Sequence, residues 1–125
     1  MVGNPHIDAM VPVSDVGRAV EFYGEQLGLE VFERGEGMPY ARFRSGDTRL
    51  NVYQSSTAGH AKHTLVSFAV EDVRRTVDDL KQRGVEFQEY DSGPFTTEGG
   101  VATIGDTHAA WIEDPDGNVL EIVGR

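Results

Sequence analysis

The chain has 125 residues, of which 38% are hydrophobic, and 21 acidic against 11 basic residues give it a formal net charge of −10. This length predicts a single domain, residues 1–125, with enough apolar residues for a core. The acidic balance argues against nucleic acid as a partner, because phosphate binding needs a basic surface. There is no Cys, so disulfides and thiolate chemistry are excluded. No apolar run is long enough to span a membrane and no leader segment opens the chain, so we expect a cytoplasmic protein without a membrane partner.

The first half of the chain is predicted to form a strand, a helix and three more strands. Strands are predicted at 6–13, 30–34, 39–44 and 49–54, with turns at 35–37 and 45–47. Ser14 or Asp15 caps the helix, and its apolar residues recur at helical spacing as far as Leu27. Small polar residues at 55–62 indicate a linker, so the first module is 1–54.

The second half repeats this order of elements. Strands are predicted at 64–70, 85–89, 108–113 and 119–123, which makes 63–125 the second module. Glu71 or Asp72 caps a helix that runs to about Arg83. Residues 91–100 form a long Gly-rich loop around Phe95, and such a loop inside a compact domain is more often functional than idle.

The two halves are copies of one unit. Asp15 returns as Asp72, 57 residues later, whereas Gly28 returns as Gly84, 56 residues later, so one residue is lost within the second helix. A period of this length indicates a supersecondary unit, and two copies exclude a solenoid. We therefore expect the two halves to share a cavity or a core.

The turn and last strand, Asp114–Ile122 (DPDGNVLEI), resemble the signature of the vicinal oxygen chelate superfamily, which includes glyoxalases, bleomycin-resistance proteins and extradiol dioxygenases. The segment Phe22–Gly28 (FYGEQLG) is similar to the end of that family's first helix. The resemblance implies an α+β fold, in which two βαβββ modules in tandem form a cupped mixed sheet around a cleft with the helices outside. It also implies a homodimer.

Many members of that family hold one divalent metal with four inward side chains, on the first and last strands of each module. The resemblance places these positions at Asp8, Asn51, Leu65 and Glu121. Leu65 cannot ligate a metal and Asn51 offers only a neutral carbonyl oxygen, so the set is poor for a transition metal and we predict no cofactor. The alternative is one divalent metal held by His6, His63 and Glu121. Each histidine lies two residues before a first-strand position and therefore on the same strand face.

Three side chains stand out as candidates for ligand binding or catalysis. Glu121 is the best catalytic candidate, as a general base or as the counter-ion of a cationic ligand. Trp111 is either a core residue or a wall on which a flat ligand stacks. Phe95 is a candidate lid residue. The predicted ligand-binding set is Asp8, Asn51, Leu65, Phe95, Trp111 and Glu121.

These features predict a metal-free small-molecule-binding protein of the glyoxalase and bleomycin-resistance type, which sequesters a flat or cationic compound. Anions are expected to bind poorly, because they would meet unpaired carboxylates at Asp8 and Glu121. The alternative is an enzyme of the same superfamily, either a metal-dependent lyase, isomerase or dioxygenase or a metal-free enzyme that uses Glu121. A protein whose cleft is filled by its own side chains is a third interpretation.

Overall fold

A computed structural model describes residues 1–35 and 39–125 of the chain. The chain divides into two compact units, Met1–His60 and Ala61–Arg125. Each unit contains one helical segment and a four-stranded mixed sheet, which confirms the α+β class and the two βαβββ modules in tandem. That the units form one domain with a shared cleft stays a prediction. In the part of the chain that the structure describes, no helix has the length and apolar character needed to cross a membrane.

The first unit contains β1 (Asp8–Val13), α1 (Val16–Val20, continued by a π-helix over Glu21–Gln26), β2 (Glu30–Arg34), β3 (Tyr40–Ser45) and β4 (Thr48–Gln54). The strand order is β1-β4-β3-β2, with β1 parallel to β4 and the other pairs antiparallel. The predicted turn at 35–37 lies largely outside the described residues.

The two faces of this sheet differ because successive side chains on a strand point to opposite sides. On one face Val11, Leu50 and Val52 are at most 2% exposed, and Phe43 packs against Tyr23 of the helical segment with ring centroids 5.9 Å apart. The opposite face, which the helix does not cover, carries polar side chains from β1, β3 and β4.

The helical segment accounts for the one-residue difference between the repeats. Over Glu21–Gln26 it is π-helical, and the N–H of Leu27 donates to the C=O of Phe22, 2.9 Å away. A π-helical turn accommodates one residue more than an α-helical turn. The second helix is α-helical throughout Val73–Gln82, which matches its shorter spacing. The helix predicted to reach Leu27 is therefore confirmed in its extent, and the π-helical form of its second half was not predicted.

The second unit contains β5 (Thr64–Val70), α2 (Val73–Gln82), β6 (Ala102–Ile104), β7 (Thr107–Glu113) and β8 (Val119–Gly124). The strand order is β5-β8-β7-β6, with β5 parallel to β8. The buried residues of α2, Val73, Val77 and Leu80, lie in the same core as the buried β7 and β8 residues Ile112, Leu120 and Ile122.

The edge strand of the second sheet is β6, and the predicted strand at 85–89 is wrong. Phe87 makes only an isolated bridge with Ile112, and the N–H of Gln88 donates to the C=O of Trp111 at 2.8 Å. The other end of β7 pairs with β6. Because two short segments share one edge of β7, neither can extend along its whole length, and residues 89–101 form a loop between them.

The turn between β7 and β8 is held by a buried carboxylate. Asp114 is 4% exposed and Asn118 is fully buried. One oxygen of Asp114 accepts hydrogen bonds from the backbone N–H groups of Asp116 and Asn118, each at 2.9 Å, and the other accepts from the Asn118 amide at 2.8 Å. Gly117 has φ of 86°, in the region that glycine adopts most readily. This turn sets the register in which β8 returns beside β7.

Asp114→Ala should lower the free energy of unfolding by about 2–4 kcal/mol, because three hydrogen bonds are lost and a buried amide loses an acceptor. Urea unfolding of the full chain, followed by far-UV circular dichroism, measures this change. Asp91→Ala, at an exposed loop position, is the control and should change stability little. Equal stability of the two variants would contradict the role assigned to the turn.

Candidate functional site

In both units the first strand pairs in parallel with the last strand, and this pairing brings several predicted site residues to the centre of a sheet. In the first unit Asp8 lies opposite Arg49 and Met10 lies opposite Asn51. In the second unit Ser67 lies opposite Glu121. The two centres have different chemistry, and each is described within its own unit.

At the centre of the first sheet, the carboxylate of Asp8 is surrounded by donors. One oxygen accepts from Nε of Arg49 at 2.9 Å. The other accepts from Nη2 of Arg42 at 3.2 Å and from Nδ2 of Asn51 at 3.0 Å. Arg42 Nε also donates to the Asn51 carbonyl oxygen at 3.3 Å, and its Nη1 lies 3.6 Å from a carboxylate oxygen of Glu33. The structure therefore brings the predicted Asp8 and Asn51 together. Arg42 donates to both of them, and Arg49 donates to Asp8.

These contacts determine the ionisation of Asp8. The hydrogen bond from Asn51 lowers the pKa of the Asp8 carboxyl below its ordinary value of 3.8, partial burial opposes this, and the bonds from Arg49 and Arg42 lower the pKa further. Asp8 is thus a paired anion at neutral pH. The expectation that it would meet a ligand as an unpaired carboxylate was wrong.

The residues at the four metal positions do not fit a divalent metal. Beside Asp8 and Asn51, the guanidinium of Arg42 already supplies the positive charge, and it occupies the amide oxygen that a metal would need. Leu65 lies at a register shift of β5, between Thr64 and Val66, and has no donor atom. Within either unit, no three His, Asp or Glu side chains among residues 1–35 and 39–125 are grouped as metal ligands.

The two histidines of the alternative metal set lie in different surroundings. His6 lines a hollow of about 250 Å³ together with Arg44 and Arg49. Positive neighbours oppose a metal cation there. His63 lines a different cavity, in the second unit, beside Trp111. Among the described residues, the hollow beside His6 has a single lining carboxylate, Asp47, and the cavity beside His63 has none, so neither offers the several carboxylates that would complete a site with one imidazole.

Glu121 lies at the centre of the second sheet, where the sequence resemblance places it. It is half-buried, and its carboxylate accepts a hydrogen bond from the hydroxyl of Ser67 at 2.7 Å. No basic side chain in the described part of the chain forms an ion pair with it. Its cross-strand neighbour on β7 is Trp111. Ser67 was not identified from the sequence. The repeat aligns Ser67 with Met10, which lies opposite Asn51, and this correspondence could have placed Ser67 opposite Glu121.

A cavity of about 260 Å³ lies at the aromatic end of the second unit. Trp111 forms one wall, with Phe95 nearly parallel to it at a ring-centroid distance of 6.2 Å and an angle of 21°. Tyr90 meets Trp111 edge-on, with centroids 5.7 Å apart. Lys62 and His63 line the same cavity. The structure thus brings the predicted Trp111 and Phe95 together, and it adds Tyr90.

The loop that carries Phe95 is tied at its base. The N–H of Tyr90 donates to the hydroxyl of Thr97, and the N–H of Thr97 donates to the C=O of Tyr90, both at 2.8 Å. Gly100 is in the left-handed region, and a Cβ there would come within 2.8 Å of Phe87 Cβ. These constraints hold the two ends of the loop together, so Phe95 and Tyr90, each 41% exposed, are presented beside Trp111.

The sequence profile of the Glyoxalase/Bleomycin resistance protein/Dioxygenase superfamily matches residues 5–122. The chain therefore belongs to this superfamily, as the DPDG turn and the repeat indicated.

Individual relatives carry different names. The Bacillus subtilis protein YraH is 32% identical over an alignment of 123 positions that covers 88% of this chain and 90% of that protein. The lactoylglutathione lyase of Haemophilus influenzae is 25% identical over 134 residues, with 94% of this chain and 90% of that protein covered.

Solved structures show the same fold. TnmS3, an antibiotic binding protein from a Streptomyces species, superimposes with a TM-score of 0.71 at 24% identity, over 98% of this chain and 96% of that one. A glyoxalase family protein from Enterococcus faecalis superimposes with a TM-score of 0.73 at 19% identity, over 98% and 99% of the two chains.

Asp8→Asn should lower the free energy of unfolding at neutral pH, because the two arginines lose their counter-ion. The pKa of Asp8 is lower in the folded chain than in the unfolded one, so its stabilising effect is fully present above the unfolded value of about 4. It is lost as the pH falls through the lower, folded-state pKa. Urea unfolding should therefore show a gap between wild type and variant at neutral pH that shrinks in acid.

The control is Asp91→Asn, at an exposed loop position of the second unit. Its stability should follow that of the wild type at each pH. A gap for Asp8→Asn that stays constant down to strongly acidic pH would contradict the assignment of Asp8 as the paired anion.

Proposed function

We propose that this protein binds a flat small molecule, neutral or cationic, without the help of a metal, and that its role is to sequester the compound. The observation that carries this proposal is the cavity of about 260 Å³ walled by Trp111, Phe95 and Tyr90. Flat π-systems stack on such walls, and cations are attracted to the faces of the same rings.

The cavity has the features of a preformed site. Two of its three rings are 41% exposed, and water-exposed aromatic surface is costly unless a ligand covers it. The loop hydrogen bonds between Tyr90 and Thr97 hold the rings in position before binding, which reduces the entropy that a ligand must offset. The volume is slightly below the usual range for ligand pockets, so it suits a small molecule or one ring system of a larger molecule.

Glu121 supports the preference for neutral or cationic compounds. Its carboxylate receives only the Ser67 hydrogen bond within the described residues, and it lies directly across from Trp111 on the adjacent strand. A cation stacked on Trp111 would gain from this charge, whereas an anion would be repelled by it. Lys62, on the rim, carries the opposite charge, and it selects the orientation of a ligand that has both polar and apolar ends.

The names of the relatives support both sequestration and catalysis. An antibiotic binding protein shares the fold, and a lactoylglutathione lyase shares a quarter of its aligned residues with this chain. A metal-dependent lyase, isomerase or dioxygenase is therefore the second candidate. The guanidinium of Arg42 beside Asp8, and Leu65 at a ligand position, weigh against it. The homodimer implied by the family resemblance belongs to this proposal, with a cleft completed by the second copy.

Ligand binding at the cavity should quench the fluorescence of Trp111, which is the only tryptophan of the chain. Suitable probes are ethidium and acridine orange as planar cations and anilinonaphthalene sulfonate as an aromatic anion. Phe95→Ala should weaken the binding of the cations by about 1 kcal/mol, because one aromatic ring of the cavity is lost. Glu121→Gln should weaken the binding of the cations by about 1–3 kcal/mol and leave the stability of the fold nearly unchanged.

Tyr53→Ala is the matched control, because Tyr53 is also an exposed aromatic residue but lies on β4 of the first unit. It should leave the quenching titration unchanged. If the anion binds best, and if Glu121→Gln does not alter affinity for the cations, the proposed ligand class is wrong.

The metal-free part of the proposal has its own test. Elemental analysis of the protein purified without chelator should find far less than one Zn, Ni, Mn or Fe per chain, and added metal should not produce lactoylglutathione lyase activity. One tightly held metal per chain that is lost in His63→Ala would instead support the enzyme. The metal content of Arg42→Ala, a variant that lacks the cation beside Asp8, is measured for comparison with that of the wild type.

A further inference from the structure

The hollow that His6 lines is at the β3–β4 hairpin of the first unit. It has no lining residue in common with the aromatic cavity of the second unit. Its volume is about 250 Å³, and its lining residues are His6, Arg44, Gly46, Asp47, Thr48 and Arg49. We infer that this hollow is a binding site for a small oxyanion, the phosphate or carboxylate group of a solute. This inference goes beyond the proposed function and does not depend on it.

The two guanidinium groups are held in place by the protein. Nε of Arg49 donates to Asp8 at 2.9 Å, which fixes the side chain and leaves its two terminal nitrogens for another acceptor. The guanidinium of Arg44 lies over the ring of Phe32, 4.2 Å from its centroid. Within residues 1–35 and 39–125, no carboxylate forms an ion pair with Arg44. Both arginines therefore present N–H donors that the described part of the chain does not use.

The local charge is opposite to that of the whole chain. The protein has a formal net charge of −10, yet the described residues that line this hollow include two arginines and one carboxylate, Asp47. The neighbouring carboxylate of Asp8 already accepts hydrogen bonds from three side chains, and one of these is Arg49 of the hollow. Arg44 forms no ion pair with a carboxylate of the described residues, and Arg49 is bound to Asp8 through Nε alone, so the remaining N–H donors of both side chains favour an anionic ligand.

The chemistry of the lining selects the class of ligand. Guanidinium groups present parallel N–H donors that match the oxygens of phosphate and carboxylate. The described residues that line the hollow include no apolar side chain, so an aromatic or aliphatic group would gain little there. A metal cation would meet two arginines at close range. The hollow opens at an exposed hairpin turn, which admits a group at the end of a larger solute.

The test is a titration of the isotopically labelled chain with sodium phosphate, followed by the backbone amide signals of Gly46, Asp47 and Thr48. Parallel titrations use sodium malonate and, at matched ionic strength, sodium chloride. Saturable shifts with phosphate or malonate, absent with chloride, are expected. Tighter binding of phosphate indicates a phosphorylated solute and tighter binding of malonate a carboxylate, and both results support the site.

Two substitutions with opposite effects decide whether the hollow binds through its charges. Arg44→Gln should lower the affinity for phosphate by about fivefold, as expected for the loss of one exposed charge pair. Asp47→Asn should tighten the binding of phosphate, because it removes the one carboxylate among the described residues that line the hollow. Arg34→Gln, at an exposed arginine of β2 outside the hollow, is the control and should leave the titration unchanged.

The gain expected for Asp47→Asn keeps the test decisive even if Arg44→Gln does not fold, since lost structure cannot increase affinity. Linear shifts that are equal for phosphate and chloride would overturn the inference. The same holds if Asp47→Asn and Arg34→Gln bind phosphate with the same affinity. Phe95→Ala should not affect this titration, which separates the hollow from the aromatic cavity.

Discussion

The parallel pairing of the first strand with the last strand is the constraint on which the rest of each unit depends. Parallel neighbours cannot be joined by a tight turn, so the chain must cross over the sheet, and here it does so through a helix. The helix buries one face, with Val11 and Val52 in the first core and Ile112 and Leu120 in the second. The other face is left for polar and aromatic side chains, and the same pairing decides which of them meet.

The repeated backbone plan supports different chemistry in its two copies. In the first unit the paired strands bring Asp8 next to Asn51 and Arg49, and Arg42 from the neighbouring strand completes a network of opposite charges. In the second unit the corresponding place holds Glu121 and the hydroxyl of Ser67, with aromatic rings beside them. A guanidinium group thus provides in the first unit the positive charge that a metal supplies in many family members. The metal-free role proposed above rests in part on this difference.

Local sequence signals predicted most of the fold because their physical causes are local. Ser14 or Asp15 was predicted to cap the first helix, and Glu71 or Asp72 the second. The caps are Asp15 and Asp72, each of which accepts a hydrogen bond from a backbone N–H three residues later, at 3.0 and 3.1 Å. The π-helical turn and the short edge strand β6 were missed. The π-helical turn depends on how one additional residue is accommodated in a packed helix. The position of β6 depends on which of two segments, one around Phe87 or Ala102–Ile104, pairs with the edge of β7.

The sequence by itself determined the repeat and the order of elements, since these follow from spacing and residue type. Its resemblance to the superfamily implied the candidate positions Asp8, Asn51, Leu65 and Glu121. Only the tertiary structure decided what each candidate contacts. Arg42 and Arg49 are far from Asp8 along the chain, and nothing local indicates that they neutralise it. The same is true of Tyr90 and Phe95, which reach Trp111 through a loop whose path depends on hydrogen bonds at its base. Charge pairing and aromatic contact act through space, so the chemistry of both sites appears only when the strands are in register.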